Sequence, residues 1–290
     1  MSTPPFVQIP DGVVVERWMA RGSERAVMRT ELDGARDWVV LVPGFTGSKE
    51  DFIAVLPLLA AAGVDAVTYD QLGQHESDGS DDPADYDLAL LAGDLGEIIQ
   101  RAAVLRRGAA RPLLVGHSFG GLVAQQAVAS GIDVAAFVAL CTGPGALPAH
   151  RHGGLQDLID ALPHSDMAAI WAIMREQAKA AGEKPVAPDV REFLQRRWLG
   201  NNPHQVREFA HLLMTAPSLD SQLRARVDAG LPVTVMWGEC DDAWPIDAQA
   251  AMATQWGATA IQLEGLGHSP NAERPDVLAA ALVEQLRSAG

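Results

Sequence analysis

Two cysteines, Cys141 and Cys240, are all that 290 residues contain, too few for a disulfide framework. Both fall in apolar, strand-like contexts, which predicts buried free thiols. Cationic residues are scarce too: 22 Lys and Arg stand against 37 Asp and Glu, a net charge of −15. So acidic a surface repels phosphate backbones and anionic lipid, so neither nucleic acid nor a membrane surface is expected as a partner. No apolar run approaches the roughly 20 residues that span a bilayer. Met1–Pro10 lacks both the basic and the apolar region of a secretion signal. These absences point to a cytoplasmic protein. Metal-ligand spacing is missing as well. His150-Arg151-His152 offers two imidazoles with no third ligand at a recognisable spacing, and no metal is expected. Gly44 and Gly47 do not make a phosphate loop, because too few residues separate them and Ser48 precedes Lys49.

Core material, by contrast, is ample. Hydrophobic residues make up 48% of the chain and charged residues 20%, which excludes a wholly disordered or fibrous chain. Val13–Trp18 and Ala26–Thr30 read as an opening hairpin. Trp38–Val42 is a short continuous apolar run, as expected of a strand buried on both faces. Val64–Tyr69, Leu113–Val115, Val134–Leu140, Val233–Trp237 and Ala258–Leu263 continue the series. Helical patterns lie between them: Phe52, Val55, Leu56 and Leu59 share one face, and Leu88, Leu91, Leu95, Ile98 and Ala102 another. This alternation predicts an α/β fold, a mainly parallel sheet flanked by helices.

One stretch breaks the rhythm. Between about Pro148 and Leu223 no strand is evident, and three amphipathic helical patterns follow one another around Trp171, Trp198 and Phe209. It reads as a helical cap over residues 148–223, inserted into a core made of residues 1–147 and 224–290. A short linker at 182–188 separates two of its helices.

The chemistry is concentrated where strand Leu113–Val115 runs into Gly116-His117-Ser118-Phe119-Gly120, followed by an apolar helix. G-x-S-x-G between a strand and a helix is a nucleophile elbow. A tight turn exposes the serine hydroxyl, glycines let strand and helix approach, and the helix N-terminus faces developing negative charge. A serine hydroxyl is a weak nucleophile and needs a base held by a carboxylate. In this arrangement the chain order is serine, acid, histidine. Asp241 follows strand Val233–Trp237 and His268 follows strand Ala258–Leu263, each just past a strand's C-terminal end. Ser118, Asp241 and His268 are therefore the candidate catalytic residues. Asp242 is adjacent to Asp241 and could in principle serve instead. His117 reads as a packed elbow side chain rather than the base, and His164, His204 and His211 as solvated or core-edge residues of the cap.

From Trp38 to the end the chain resembles the α/β-hydrolase superfamily, in its single-domain branch with a helical cap. The resemblance favours Asp241, three residues after Gly238 and followed by Pro245. Gly267-His268-Ser269-Pro270 resembles the family's histidine loop. Tyr69-Asp70-Gln71-Leu72-Gly73-Gln74-His75-Glu76-Ser77 is similar to its D-x-x-G-x-G-x-S segment, with His75 where glycine is usual. That segment is structural in the family, which implies no chemistry for Asp70 or Ser77. The resemblance also implies an oxyanion hole built from the backbone N–H groups of Phe119 and Phe45. Here Pro43-Gly44 replaces the usual His-Gly, so side-chain hydrogen bonds of that loop are the part the resemblance does not carry over.

The expected function is a serine hydrolase acting through an acyl-enzyme on a carboxylic ester, thioester or lactone of a small to medium apolar substrate. The same triad also serves acyltransferases, lyases, perhydrolases and cofactor-free oxygenases, and fold does not decide among them. A silent small-molecule binder is the reading of another class. No cofactor is implied, and the expected partner is a small-molecule substrate. Trp244, in the acid-bearing loop, is expected to line the cleft, together with Trp171 and Trp198 from the cap.

Overall fold

The computed structural model describes residues 2–106, 109–182 and 185–289. Residues 183 and 184 of the linker expected at 182–188 lie outside the described residues, as does Met1 of the N-terminal stretch. Strands β1 (Val13–Ala20) and β2 (Ser23–Thr30) pair antiparallel across a two-residue turn. Arg21 and Gly22 both have positive φ, 45° and 78°, as a tight hairpin turn with the strands' own twist requires. The Arg21 guanidinium donates to the Asp85 carbonyl at 3.0 Å and to the Asp94 carboxylate.

Six further strands complete one sheet: β3 (Trp38–Val42), β4 (Asp65–Tyr69), β5 (Leu113–His117), β6 (Ala136–Leu140), β7 (Val233–Gly238) and β8 (Thr259–Leu263). Their order is β1-β2-β4-β3-β5-β6-β7-β8. β2 meets β4 antiparallel, and every pair from β4 to β8 is parallel. The continuous apolar runs follow from this: β3, β4, β5, β6 and β7 are buried along their whole length, with helices on both faces. One face carries α1 (Val55–Ala61) and α11 (Pro275–Ala289), the short α10 (Pro270–Glu273) leading into the latter. The other carries α2 (Leu88–Leu105) and α3 (Phe119–Ala129), with α8 (Asp220–Asp228) and α9 (Ile246–Trp256) beside them.

Between β6 and β7 the chain leaves the sheet. It forms α4 (Gly153–Ala161), α5 (Met167–Ala180), α6 (Pro188–Gly200) and α7 (Pro203–Thr215) before α8 returns to the core. Asp166 and Asn202 accept hydrogen bonds from the first-turn amides of α5 and α7, as N-caps do. Ile170, Trp171, Val190, Phe193, Leu194, Trp198 and Val206 form a separate hydrophobic cluster among these helices. A buried ion pair ties this segment to the sheet: Arg197 of α6 donates to Asp51, in the loop after β3, at 2.7 Å, and to the Ser2 carbonyl at 2.7 Å. The N-terminal residues run along the same seam. Phe6 packs on the core and Val7 on the α5–α6 cluster, and the Gln8 amide donates to Asp189 at 2.9 Å. Among the described residues no helix is long and apolar enough to cross a membrane.

Candidate active site

β5 ends at His117, and the next residue, Ser118, takes φ 54° and ψ −122° before α3 begins. A non-glycine residue in that region costs about 1–3 kcal/mol and persists only where its surroundings force it. Ser118 N–H donates to the Leu140 carbonyl at 3.0 Å, and Gly121 N–H to Ser118 O at 2.8 Å. The glycines around it serve close approach rather than unusual dihedrals. A Cβ on Gly116 would fall 2.5 Å from Gly120 O, and one on Gly120 would fall 2.4 Å from Pro43 O. The start of α3 is thereby pressed against the ends of β3 and β5, which leaves the Ser118 hydroxyl at the C-terminal edge of the sheet.

Two neighbouring loops bring the partners. His268 Nε2 lies 3.0 Å from Ser118 Oγ, and His268 Nδ1 lies 2.9 Å from Asp241 Oδ1. A carboxylate only accepts, so Nδ1 carries the proton and Nε2 is free to accept from the serine hydroxyl. The two loops are locked together: Cys240 N–H donates to Leu266 O at 2.7 Å, and a Cβ on Gly238 would fall 2.0 Å from Gly267 O. Asp241 is buried. Burial alone would raise its pKa, but His268, the Ala243 amide and the Gln249 side chain hold it below the usual carboxylate range. Those bonds measure 2.9 Å from Ala243 N and 3.0 Å from Gln249 Nε2. Asp242 is exposed, and the carboxylate that meets His268 is that of Asp241.

His117 is buried and borders the same cavity as Ser118 and His268. Its Nε2 is 2.8 Å from the His268 carbonyl, which can only accept, so Nε2 carries the proton. Burial, with the neighbouring His268 adding to it, pushes the His117 pKa down to about 3. A neutral His117 therefore pins the backbone of His268.

The loop after β3 passes beside the serine, with a Cβ on Gly44 only 3.2 Å from Ser118 Cβ. Side-chain amides stabilise it. Gln71 Nε2 donates to Pro43 O at 2.9 Å, and Gln74 Nε2 to Gly44 O at 2.7 Å and Phe45 O at 3.1 Å. These glutamines supply the support that the missing histidine left open. The amides of Phe45 and Phe119 are both free of backbone hydrogen bonds among the described residues. Asp70 and Ser77 have structural contacts. Asp70 accepts from Lys49 Nζ at 3.0 Å, and the Ser77 hydroxyl donates to Asp70 O at 2.6 Å.

Ser118 and His268 open onto a cavity of about 190 Å³. Leu147 and Leu213 line it from the inserted segment, Trp244 and Ala243 from the acid loop, and Phe45, Gly47, Asp51 and Ser2 from the other side. Trp244 is buried there against Gly143. Trp171 and Trp198 do not line this cavity, which corrects the sequence-based expectation. Trp198 is buried between α5 and α6, its indole N–H donating to Met167 O at 2.7 Å, and Trp171 faces a separate cleft with Arg175 and Arg191. Both tryptophans fill the interface that the helices make with one another. Cys240 is a second correction. Cys141 is buried, but Cys240 is exposed, because β7 ends at Gly238 and the chain turns outward. The sequence pattern also gave no sign of Asp51 or Gln249, whose roles come from residues far away or on another element.

Among the described residues, two groups of side chains have metal-ligand spacing. His117, Cys141 and His268 form one, but it contains the candidate base. Glu50, His75 and Glu76 form the other. The Lys49 ammonium already lies 2.8 Å from Glu50 and 2.7 Å from Glu76, so a cation is built into that group.

A model of the alpha/beta hydrolase family matches residues 39–281. A search of curated proteins finds no match. Among solved structures, a thermophilic esterase from Thermogutta terrifontis superposes with a TM-score of 0.74 at 21% identity, covering 95% of this chain and 99% of that one. The enol-lactonase from Burkholderia xenovorans gives 0.74 at 18%, covering 94% and 100%. A bromoperoxidase from Bacillus anthracis gives 0.75 at 18%, covering 94% and 100%. Identities this low speak to the fold alone.

Proposed function

Because the chain belongs to the alpha/beta hydrolase family, we propose that it is a serine hydrolase that cleaves small carboxylic esters, thioesters or lactones through an acyl-enzyme. The observation that carries this reading is the unbroken hydrogen-bond chain from Ser118 Oγ through His268 to Asp241, at 3.0 and 2.9 Å, on the wall of a cavity.

In this mechanism Ser118 Oγ attacks the substrate carbonyl as His268 Nε2 takes its proton. Asp241 holds the Nδ1–H tautomer and stabilises the imidazolium that forms. The Phe45 and Phe119 amides donate to the oxyanion, an interaction whose loss typically costs about 10²–10³ in turnover. The imidazolium then protonates the departing alcohol or thiol. Water enters, gives its proton to His268 Nε2 and releases the acid, which restores Ser118. The helices of residues 148–223 act as a cap on the core of 1–147 and 224–290. They contribute Leu213 to the cavity, which Leu147, just before them, also lines; its small volume and largely apolar lining favour short acyl groups.

The test is covalent. Fluorophosphonate treatment should add one mass increment to the intact protein, mapping to Ser118. Absence of an adduct, or an adduct at Ser48 or Ser269, removes the proposed nucleophile. Hydrolysis in ¹⁸O-water should then label the released acid, and an unlabelled product would mean that another acceptor resolves the acyl-enzyme.

A further inference from the structure

One buried side-chain amide sets the direction of the peptide that carries the Phe45 N–H. Gln74 is fully buried and lies outside the lining of the Ser118 cavity. Its Nε2 donates to Gly44 O at 2.7 Å and to Phe45 O at 3.1 Å, and its Oε1 accepts from Gln71 N at 2.9 Å. The Gln71 N–H can only donate and the two carbonyls can only accept, so the amide has a single orientation with both of its N–H bonds engaged. Gly44 C=O and Phe45 N–H belong to one peptide unit, which is planar and trans, and they point in opposite directions. Gly44 O faces Gln74, away from the cavity. Phe45 N–H therefore faces the other way, on the side where Gly44 and Phe45 line the cavity with Ser118. The second bond, to Phe45 O, holds the following peptide as well.

We propose that Gln74 is a positioning residue of the oxyanion hole, which aims and polarises Phe45 N–H toward the oxygen that becomes negative when Ser118 attacks. The inference rests on the hydrolase reading above. Hydrogen bonds in a chain strengthen one another. A donor on Gly44 O draws electron density to that oxygen and makes the N–H at the other end of the same peptide a better donor. The oxyanion, the Phe45–Gly44 peptide and the Gln74 amide form such a chain. Gly47 N–H also reaches Gly44 O, at 3.2 Å, but it belongs to the same loop and turns with it. Gln74 ties the peptide to a separate segment, the one after β4. Gln71 anchors the preceding carbonyl, Pro43 O, from that same segment at 2.9 Å.

The experiment compares two ketones of nearly the same shape. With butyl trifluoromethyl ketone, Ser118 Oγ bonds to the carbonyl carbon, its proton passes to His268 Nε2, and the carbonyl π pair is left as an alkoxide in the hole. Butyl methyl ketone stays a carbonyl. Gln74→Met keeps the length of the side chain and removes its donors. In that variant the inhibition constant of the fluorinated ketone should rise by about tenfold or more, short of the roughly 10²–10³ that loss of a whole oxyanion donor costs. With p-nitrophenyl butyrate, kcat and kcat/KM should fall together, while KM and the methyl ketone constant stay within about twofold, as for an interaction made only in the transition state. A lowered melting temperature with kcat and both ketone constants unchanged would make Gln74 a loop staple and overturn the proposal. Equal weakening of both ketones would mean a collapsed cavity and overturn it too. The wild-type protein supplies a test that needs no variant. Binding of the fluorinated ketone should move the Gln74 side-chain amide protons downfield in NMR spectra, and binding of the methyl ketone should not. Unmoved protons overturn the polarised chain even where Gln74→Met does not fold. Each of these results leaves the hydrolase reading standing, whereas the absence of a fluorophosphonate adduct at Ser118 in the wild type overturns both.

Discussion

Replacing Asp241 by asparagine isolates a charge, because the local hydrogen bonds fix how the new amide sits. Asp241 Oδ1 accepts from His268 Nδ1 and from the backbone amides of Ala243 and Trp244, at 2.9, 2.9 and 3.3 Å. The two backbone groups can only donate. They should hold the asparagine oxygen at the Oδ1 position and send its NH2 toward Gln249. The Gln249 amide can turn to meet it, since its own oxygen is buried without a partner. His268 then keeps an acceptor at Nδ1 and the productive tautomer. What disappears is the negative charge facing the imidazolium. Unit charges about 4 Å apart interact by about 4 kcal/mol at an effective dielectric of 20, which corresponds to about 10³ in rate. That is less than the 10⁴ seen in the serine-protease template, where the amide imposes the wrong tautomer. The assay is turnover of one activated ester by Asp241→Asn and Asp242→Asn, with folding checked by thermal melt and the His268 Nδ1 proton followed by NMR. A near-normal Asp241→Asn would remove Asp241 as the acid. A crippled Asp242→Asn beside it would move that role one residue along. Loss of the Nδ1 proton signal in Asp241→Asn would refute the pinned-amide argument.

Three further outcomes follow from the packing and charge described above. The His117 pKa of about 3 lies below the ordinary histidine value of about 6.5. Between those two pH values the unfolded chain binds the extra proton, so stability should fall on acidification through this window. Melting temperature against pH should be steeper for the wild type than for His117→Asn, and equal slopes would contradict the assignment. Gly120→Ala places a Cβ 2.4 Å from the Pro43 carbonyl, a backbone atom that cannot swing away. It should destabilise by about 1–3 kcal/mol or more, and a chemical melt matching the wild type would contradict this close approach. Trp198→Ala should lower the melting temperature while leaving the ranking of acyl chains intact, whereas Trp244→Ala should change the ranking. The reverse pattern would mean that Trp198 reaches the substrate.

Legibility in the sequence tracks how local each determinant is. The parallel strands show themselves because burial on both faces leaves runs such as Trp38–Val42 without a polar residue. The glycine pattern around Ser118 and the loops bearing Asp241 and His268 are short and contiguous, so the chain announces them. Helix α8 left no such trace, since Leu223 is its one fully buried residue and most of the rest is polar. Helix α4 opens on two glycines and buries none of its side chains fully, so it too escaped notice. Trp171 and Trp198 each lie on an apolar face that a helix pattern reveals, but which neighbour such a face meets is a tertiary choice. The Asp51–Arg197 pair joins residues 146 positions apart, a distance over which no periodicity carries information. Cys240 was misread because a strand's final residues and the turn after them look alike in composition.

The seam occupied by the N-terminal residues has a practical consequence for handling the protein. Ser2 touches both Arg197 and Asn271 and lines the cavity, so an affinity tag fused ahead of it would start at the mouth of the site. The other end of the chain lies elsewhere. Gln285, close to the end of α11, accepts a hydrogen bond from Thr234 at the start of β7, at the sheet edge opposite Asp241. A carboxy-terminal tag should therefore leave ester kinetics as they are. An amino-terminal one should alter them until a protease removes it, and two preparations differing only in tag position would give different enzymes.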